Sequence, residues 1–192
     1  MKILRADNHK RMPWKNGRGE TVEIAVFPEG ATVDTFDWRV SMATVSENGP
    51  FSVFPGIDRT LSILEGEGME LLIEERDTVR LTQASAPYAF PADTPTTARL
   101  VGGAITDLNV MTRRGRYTHV VERYLGRRSL PANDTARLIL CGTGRLRAEG
   151  NDGAIMLNAF DGLFLDEEEA LEILEADTYY LVTLAPNAPD FV

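Results

Sequence analysis

Between Phe36 and Arg59 the chain reads FDWRVSMATVSENGPFSVFPGIDR, in which bulky apolar residues alternate with polar ones. Read as a strand over 36–45, its side chains repeat with a period of two. Phe36, Trp38, Val40 and Met42 then share one face, and Asp37, Arg39, Ser41 and Ala43 share the other. The same parity gathers Asp107, Asn109 and Met111 opposite Leu108 and Val110, and it groups Arg59 with Leu61 and Ile63. Polar groups therefore recur on single faces of several strands. A half-exposed strand with no site also alternates, so the pattern acquires meaning only from its surroundings.

Turn chemistry cuts the chain into short apolar segments roughly every 8 to 12 residues. The cuts fall at Asn16-Gly17, Asn48-Gly49-Pro50, Gly66-Glu67-Gly68, Gly102-Gly103, Gly142-Thr143-Gly144, Asn151-Asp152-Gly153 and Asp161-Gly162. This rhythm predicts an all-β sandwich or barrel. The segment 166–175 has helical propensity and is read either as a strand over 171–174 or as one short helix. A weak duplication is also visible. LSILEGEGMEL from Leu61 resembles LILCGTGRL from Leu138, and AITDLNVMT from Ala104 resembles TYYLVTLAP from Thr178, at an offset of about 75 residues. Two β units are expected, 1–115 and 116–192, with a crossover over 113–135. That crossover carries Arg113, Arg114, Arg116, Arg123, Arg127 and Arg128, a basic island read as a solvated link, an edge of a site or a partner surface. The acidic runs at Glu74 and Asp166 read as solvated turns.

Charge and composition narrow the function. A net charge of −9 argues against non-specific binding of nucleic acid, which depends on a basic surface. A hydrophobic content of 43% over 192 residues is enough for a packed core. Cys141 is the single cysteine, so an intramolecular disulfide and a cysteine-based zinc cluster are both excluded. The opening MKILRADNHKRMPWK has no secretory apolar region and no later run reaches the length of a membrane span, so a cytoplasmic protein with no membrane partner is expected.

Several chemistries lack their residues. The two histidines, His9 and His119, lie far apart with no metal-ligand spacing around either, so no metal or other cofactor is expected. No G-x-S-x-G elbow presents a serine. Gly17-Arg18-Gly19 lacks the lysine of a phosphate loop and reads as a tight turn with Arg18 toward solvent. Cys141 has no histidine nearby in sequence to activate it and reads as a packed thiol.

What remains is a set of fixed charges and amides: Lys15, Asn16, Arg39, Ser41, Ser52, Arg59, Asp107 and Asn109. Arginine's planar fork matches a carboxylate through two parallel hydrogen bonds, and asparagine both donates and accepts. Together they suit recognition of a carboxylate plus an amide or formyl group. The alternative is that Arg59 pairs with Asp58 or Asp107 and staples loops.

PWKNGRGETVEIA (13–25), FDWRVSMATV (36–45), GPFSVFPGIDRTL (49–61), LEGEGMEL (64–71) and DLNVMTRRG (107–115) resemble the HutD/Ves family of bicupins. The resemblance implies a cupin-like double-stranded β-helix (jelly roll) in each half, without the usual metal ligands. It also implies an association with histidine utilisation, and binding of a pathway intermediate such as N-formylglutamate that limits flux. Carried onto this chain, Arg59 would anchor the carboxylate. Arg39, Ser41, Ser52, Asp107 and Asn109 would line the pocket, and Trp14 and Trp38 would wall it or pack behind it.

Three functions are weighed. A non-enzymatic small-carboxylate binder is favoured, because no proton shuttle active near pH 7 is evident. A metal-independent isomerase or lyase would use Asp107 or Glu23 as base and Arg39 or Arg59 to stabilise an anion. A structural module would dock an acidic partner on the arginine crossover. A carboxyl group with a strongly raised pKa inside the pocket would point to catalysis, and satisfied ions with no such shift would point to binding alone. A monomer and a homodimer are equally compatible with the sequence.

Overall fold

The computed structural model describes residues 1–15, 17 and 19–187. The described residues form strands, with one helical turn among them, a 3-10 turn at Ala6–Asn8. In chain order these are β1 (Lys2–Leu4), β2 (Lys10–Pro13), β3 (Gly19–Phe27), β4 (Trp38–Val45), β5 (Gly49–Pro50), β6 (Ile57–Glu65) and β7 (Met69–Ile73). There follow β8 (Val79–Leu81), β9 (Tyr88–Pro91), β10 (Thr96–Leu100), β11 (Ile105–Arg113), β12 (Tyr117–Tyr124) and β13 (Arg128–Leu130). The last six are β14 (Ala136–Cys141), β15 (Arg145–Gly150), β16 (Gly153–Asn158), β17 (Gly162–Leu165), β18 (Leu171–Ala176) and β19 (Tyr179–Pro186). The stretch 171–176 is thus a strand, in register with both β13 and β15, and cross-strand pairing overrides its helical propensity.

The strands divide into two units, Lys10–Tyr117 and Met1–His9 with Thr118–Val192. In the first, a six-stranded sheet ordered β2-β3-β4-β11-β6-β9 accompanies a four-stranded sheet ordered β5-β10-β7-β8. The second repeats this plan with sheets β1-β17-β14-β19-β12 and β13-β18-β15-β16. The duplicated segments occupy matching places: β11 lies antiparallel beside β6, and β19 lies antiparallel beside β14. The first nine residues differ from the boundary expected at 115/116, because β1 pairs with β17. Asp161 fixes them further by accepting from the Ala6 N–H at 2.8 Å and from Arg5 at 2.7 Å.

Two glycines show why the recurring motifs are spelled as they are. A Cβ on Gly19 would lie 2.1 Å from the Thr44 carbonyl oxygen, so only glycine lets β3 run this close to β4. Gly68, in LEGEGMEL, sits at φ +114° with the Leu81 carbonyl oxygen 2.1 Å from where a Cβ would be.

The interiors of the two units differ in chemistry. The second is filled by Ile139, Cys141, Leu146, Leu163, Ile173 and other apolar side chains, with Tyr179 among them. The first has an apolar core around Ala43, Leu61, Ile63, Met69 and Phe90 and a smaller cluster around Phe36, Ile57 and Met111. Along the strands, charged and amide residues lie between those two clusters.

Candidate functional site

Register places the polar residues side by side on the inner face of the six-stranded sheet. Across β4 and β11, Ser41 is opposite Asn109, Ala43 opposite Asp107 and Arg39 opposite Met111. Across β11 and β6, Met111 is opposite Arg59 and Asp107 opposite Ile63. Directly opposed residues share a face, so Arg39, Ser41, Arg59, Asp107 and Asn109 point the same way as the core residues Ala43, Leu61 and Ile63. All five are buried: Arg39 is 6% exposed, Arg59 3% and Asp107 0%. Buried charges demand partners, and each of these charged groups finds a different one.

Arg39 is held by Glu23. Its Nε donates to Glu23 Oε2 at 2.7 Å, and both side chains are largely buried. A bulge in the β3–β4 pairing between Glu23 and Ala25 sets this contact, since Glu23 stays opposite Ser41 while the register beyond it shifts. Bulges of this kind re-aim side chains beside sites. The pairing was not foreseen from the sequence, where Glu23 figured only as a candidate base; a bulge leaves no composition signal at this position.

Arg59 is held by rings. Its guanidinium carbon lies 5.1 Å from the ring centre of Phe51, 5.5 Å from Phe54 and 5.8 Å from Phe90. Aromatic faces attract a cation and leave the in-plane N–H groups of the fork free to donate. Its Nε has no hydrogen-bond partner among the described residues. Burial lowers its pKa to about 10, with Asp107 opposing that fall and Arg39 adding to it, so Arg59 remains a cation at neutral pH. The loop-staple alternative through Asp58 fails: Asp58 Oδ1 accepts instead from Arg114 Nε at 2.7 Å.

Asp107 is fully buried, and burial pushes its carboxyl up to about 7 against the pull of Arg59, the Ala43 backbone and Asn109. Asn109 Nδ2 donates to Oδ1, whereas Oδ2 has no hydrogen-bond partner among the described residues. A carboxyl group with this value changes charge near neutral pH. The sequence pointed to Asp107 as a candidate base but gave no sign of its burial.

Other expected residues fall elsewhere. Trp38 lies on the opposite face of β4 from Arg39, as its parity requires, and stacks on Phe27 with ring centres 5.8 Å apart. It packs behind the polar face rather than lining it. Ser52 is exposed in the loop before β6, where its neighbour Phe51 turns inward against Phe90. Lys15 is exposed, and Asn16 and Arg18 lie outside the described residues. Trp14 packs against the apolar core, and its Nε1 donates to Thr21 Oγ1 at 2.9 Å.

The basic crossover is used up locally at several points. Arg114 donates to Asp93 and Asp58, and in return holds the Asp93 carboxyl down at about 2. Arg113 donates to the carbonyls of Phe36 and Asp34, and Arg128 lies 3.5 Å over the Tyr124 ring. Among the described residues no group of three or more His, Cys, Asp and Glu is placed to hold a metal ion, and no helix is long and apolar enough to cross a membrane. In the second unit Cys141 is buried, with its thiol pushed up to about 11 by burial and then by Asp161 and Asp177.

Comparison with known proteins agrees with this architecture. An uncharacterized 21.2 kDa protein in the hutC 3' region of Pseudomonas putida is 32% identical over 176 residues, covering 91% of this chain and 92% of that one. Protein Ves of Citrobacter koseri is 43% identical over 112 residues, 56% of each chain. The solved structure of HutD from Pseudomonas fluorescens SBW25 superposes with a TM-score of 0.84 at 27% identity, covering 97% of this chain and 99% of that one. A cupin 2 conserved barrel domain protein from Leptotrichia buccalis, 9% identical, superposes with a TM-score of 0.58 over 93% of this chain and 96% of its own, which identifies the fold as cupin-like. The family model described as HutD matches residues 6–181, and the chain belongs to the HutD/Ves family.

Proposed function

We propose that the chain binds a small carboxylate inside the Lys10–Tyr117 barrel and serves histidine or amino-acid catabolism as a binder that limits flux. The observation that carries this reading is Arg59: a buried cation with three phenylalanine rings within 5.8 Å of its guanidinium carbon and an Nε that has no hydrogen-bond partner among the described residues. A guanidinium held in this way is preorganised for an anion, because its orientation is fixed before the ligand arrives. Arg39 is already neutralised by Glu23, which leaves Arg59 as the anchor and Ser41 and Asn109 as neutral readers of the rest of the ligand. The hutC-region relative and the HutD neighbour support a role in histidine utilisation, where N-formylglutamate offers both carboxylates and a formamide.

One observation favours a second reading, a metal-independent isomerase or lyase. Asp107 has a carboxyl near neutral in its proton affinity, as a general base requires. A thermal-shift screen of N-formyl-L-glutamate, other N-formyl amino acids, small dicarboxylates and urocanate tests the first reading. A ligand at a hundred times its Kd adds about 2.7 kcal/mol. Following each stabilising compound by proton NMR over hours with the protein separates the readings: an unchanged spectrum supports binding alone, and new resonances support turnover.

A further inference from the structure

Inside the first barrel, Arg59 Nε and Asp107 Oδ2 are buried polar atoms without a hydrogen-bond partner among the described residues. The charges around them can be tallied by element. β3 contributes Glu23, β4 Arg39, β6 Arg59 and β11 Asp107, while β9 adds Tyr88. The second sheet gives Met69, Leu71 and Ala98 to the core that flanks Asp107, with Thr96 as a buried hydroxyl that donates to the Thr94 carbonyl. Glu23 cancels Arg39 directly, so the balance of the cluster rests on Arg59 and Asp107. With Asp107 ionised the cluster is neutral. Adding an anion then leaves one uncompensated negative charge in a water-poor interior, a costly state unless something neutralises it.

We propose that anion capture in this barrel is coupled to protonation of Asp107: a monoanion settling against Arg59 takes over the role of counter-charge, and Asp107 accepts one proton from solvent. The protonated carboxyl then has an O–H to donate from Oδ2, so the ligand is favoured if it carries a neutral acceptor, such as a formyl or amide oxygen, behind its carboxylate. This inference rests on the carboxylate reading of Arg59. Asp107 titrates near neutrality even without a ligand, so the proton is available in the physiological range. Linkage makes the effect reciprocal: whatever the anion does to the proton affinity of Asp107, the proton does to the affinity for the anion.

The test is titration calorimetry of the full chain with acetate, N-formylglycine and N-formyl-L-glutamate, at pH 8 in buffers of differing ionisation enthalpy, with Kd followed from pH 6.5 to 8.5. The expected result is uptake of close to one proton per acetate or N-formylglycine bound, these being the monoanionic probes. Kd is expected to weaken by up to about tenfold per pH unit above neutrality and to level off below it. In Asp107→Asn the proton uptake falls to near zero and the pH dependence disappears. The measurement on the unaltered chain stands even if that variant fails to fold. Binding with proton uptake near zero and a flat Kd overturns the coupling while leaving the carboxylate site intact, and uptake that persists in Asp107→Asn overturns it equally. No binding of any of the three probes at any pH overturns the carboxylate reading and the coupling with it.

Discussion

Arg39 Nε donates to Glu23 Oε2 at 2.7 Å inside the barrel, between strands whose register slips at that point. Arg59, two strands away from Arg39 on the same face, has aromatic rings where Arg39 has a carboxylate. One buried arginine is thus paired directly with a carboxylate, whereas the other meets aromatic rings and is balanced by Asp107 without a direct ion pair among the described residues. That asymmetry separates a cation closed off by its ion pair from one whose Nε has no hydrogen-bond partner among the described residues.

Removing Glu23 leaves Arg39 buried without its anion. Glu23→Ala is expected to lower the unfolding free energy by about 3 to 5 kcal/mol, whereas the double variant Glu23→Ala, Arg39→Met recovers much of that loss. Denaturant unfolding of the two variants checks this, and equal losses in both would contradict it.

Asp107 gives the ligand-free protein a signature in pH. Its folded pKa of about 7 lies above the unfolded carboxylate value of about 4, so the native state holds an extra proton between them. Its contribution to stability is complete below about pH 4 and is lost as pH rises through about 7. The unfolding free energy of the unaltered chain, relative to that of Asp107→Asn, is expected to fall by about 2 to 3 kcal/mol between pH 5 and pH 8. Urea unfolding of both at pH 5 and pH 8 measures it; a difference that stays constant argues against a raised Asp107.

Gly68 sits at a positive φ and against the Leu81 carbonyl oxygen. Gly68→Ala is therefore expected to destabilise the fold by at least about 1 to 3 kcal/mol, from backbone strain alone. A melting temperature within a degree of the unaltered protein would show that β8 yields to the methyl group.

Much of this was legible in the sequence because strand parity is a local property. Counting in twos put Arg39 with Ser41, Asp107 with Asn109 and Arg59 with Leu61 on common faces and Trp38 on the face opposite Arg39, which left open whether Trp38 walls the site or packs behind it. The duplication likewise matched β6 to β14 and β11 to β19, and the two matched strands lie side by side in each unit. Partnerships across strands were not legible. The bulge that brings Glu23 to Arg39 depends on pairing rather than composition, and the ring cage depends on a loop that turns Phe51 inward and leaves Ser52 out. The F-x-x-F spacing of Phe51 and Phe54 ahead of Arg59 was the available hint. Desolvation of Asp107 could not be read at all, since it arises from residues distant in sequence.

Cys141 should be chemically silent in the folded protein. It is buried, and with a pKa of about 11 its thiolate fraction at pH 8 is about one in a thousand. A chromogenic disulfide reagent is expected to label it only after denaturant is added. Rapid labelling of the native chain would mean that the second barrel opens.

The central claim is that Arg59 exists for a ligand and not for the fold. It is tested most directly by measuring, for the unaltered chain and for Arg59→Met, both the unfolding free energy and the stabilisation conferred by N-formyl-L-glutamate. Methionine fills the ring cage with apolar volume and removes a buried charge, so the variant is expected to be as stable as its parent or more so, while the ligand-induced stabilisation disappears. A variant that loses several kcal/mol of stability, or one that the ligand stabilises as fully as the parent, contradicts the account.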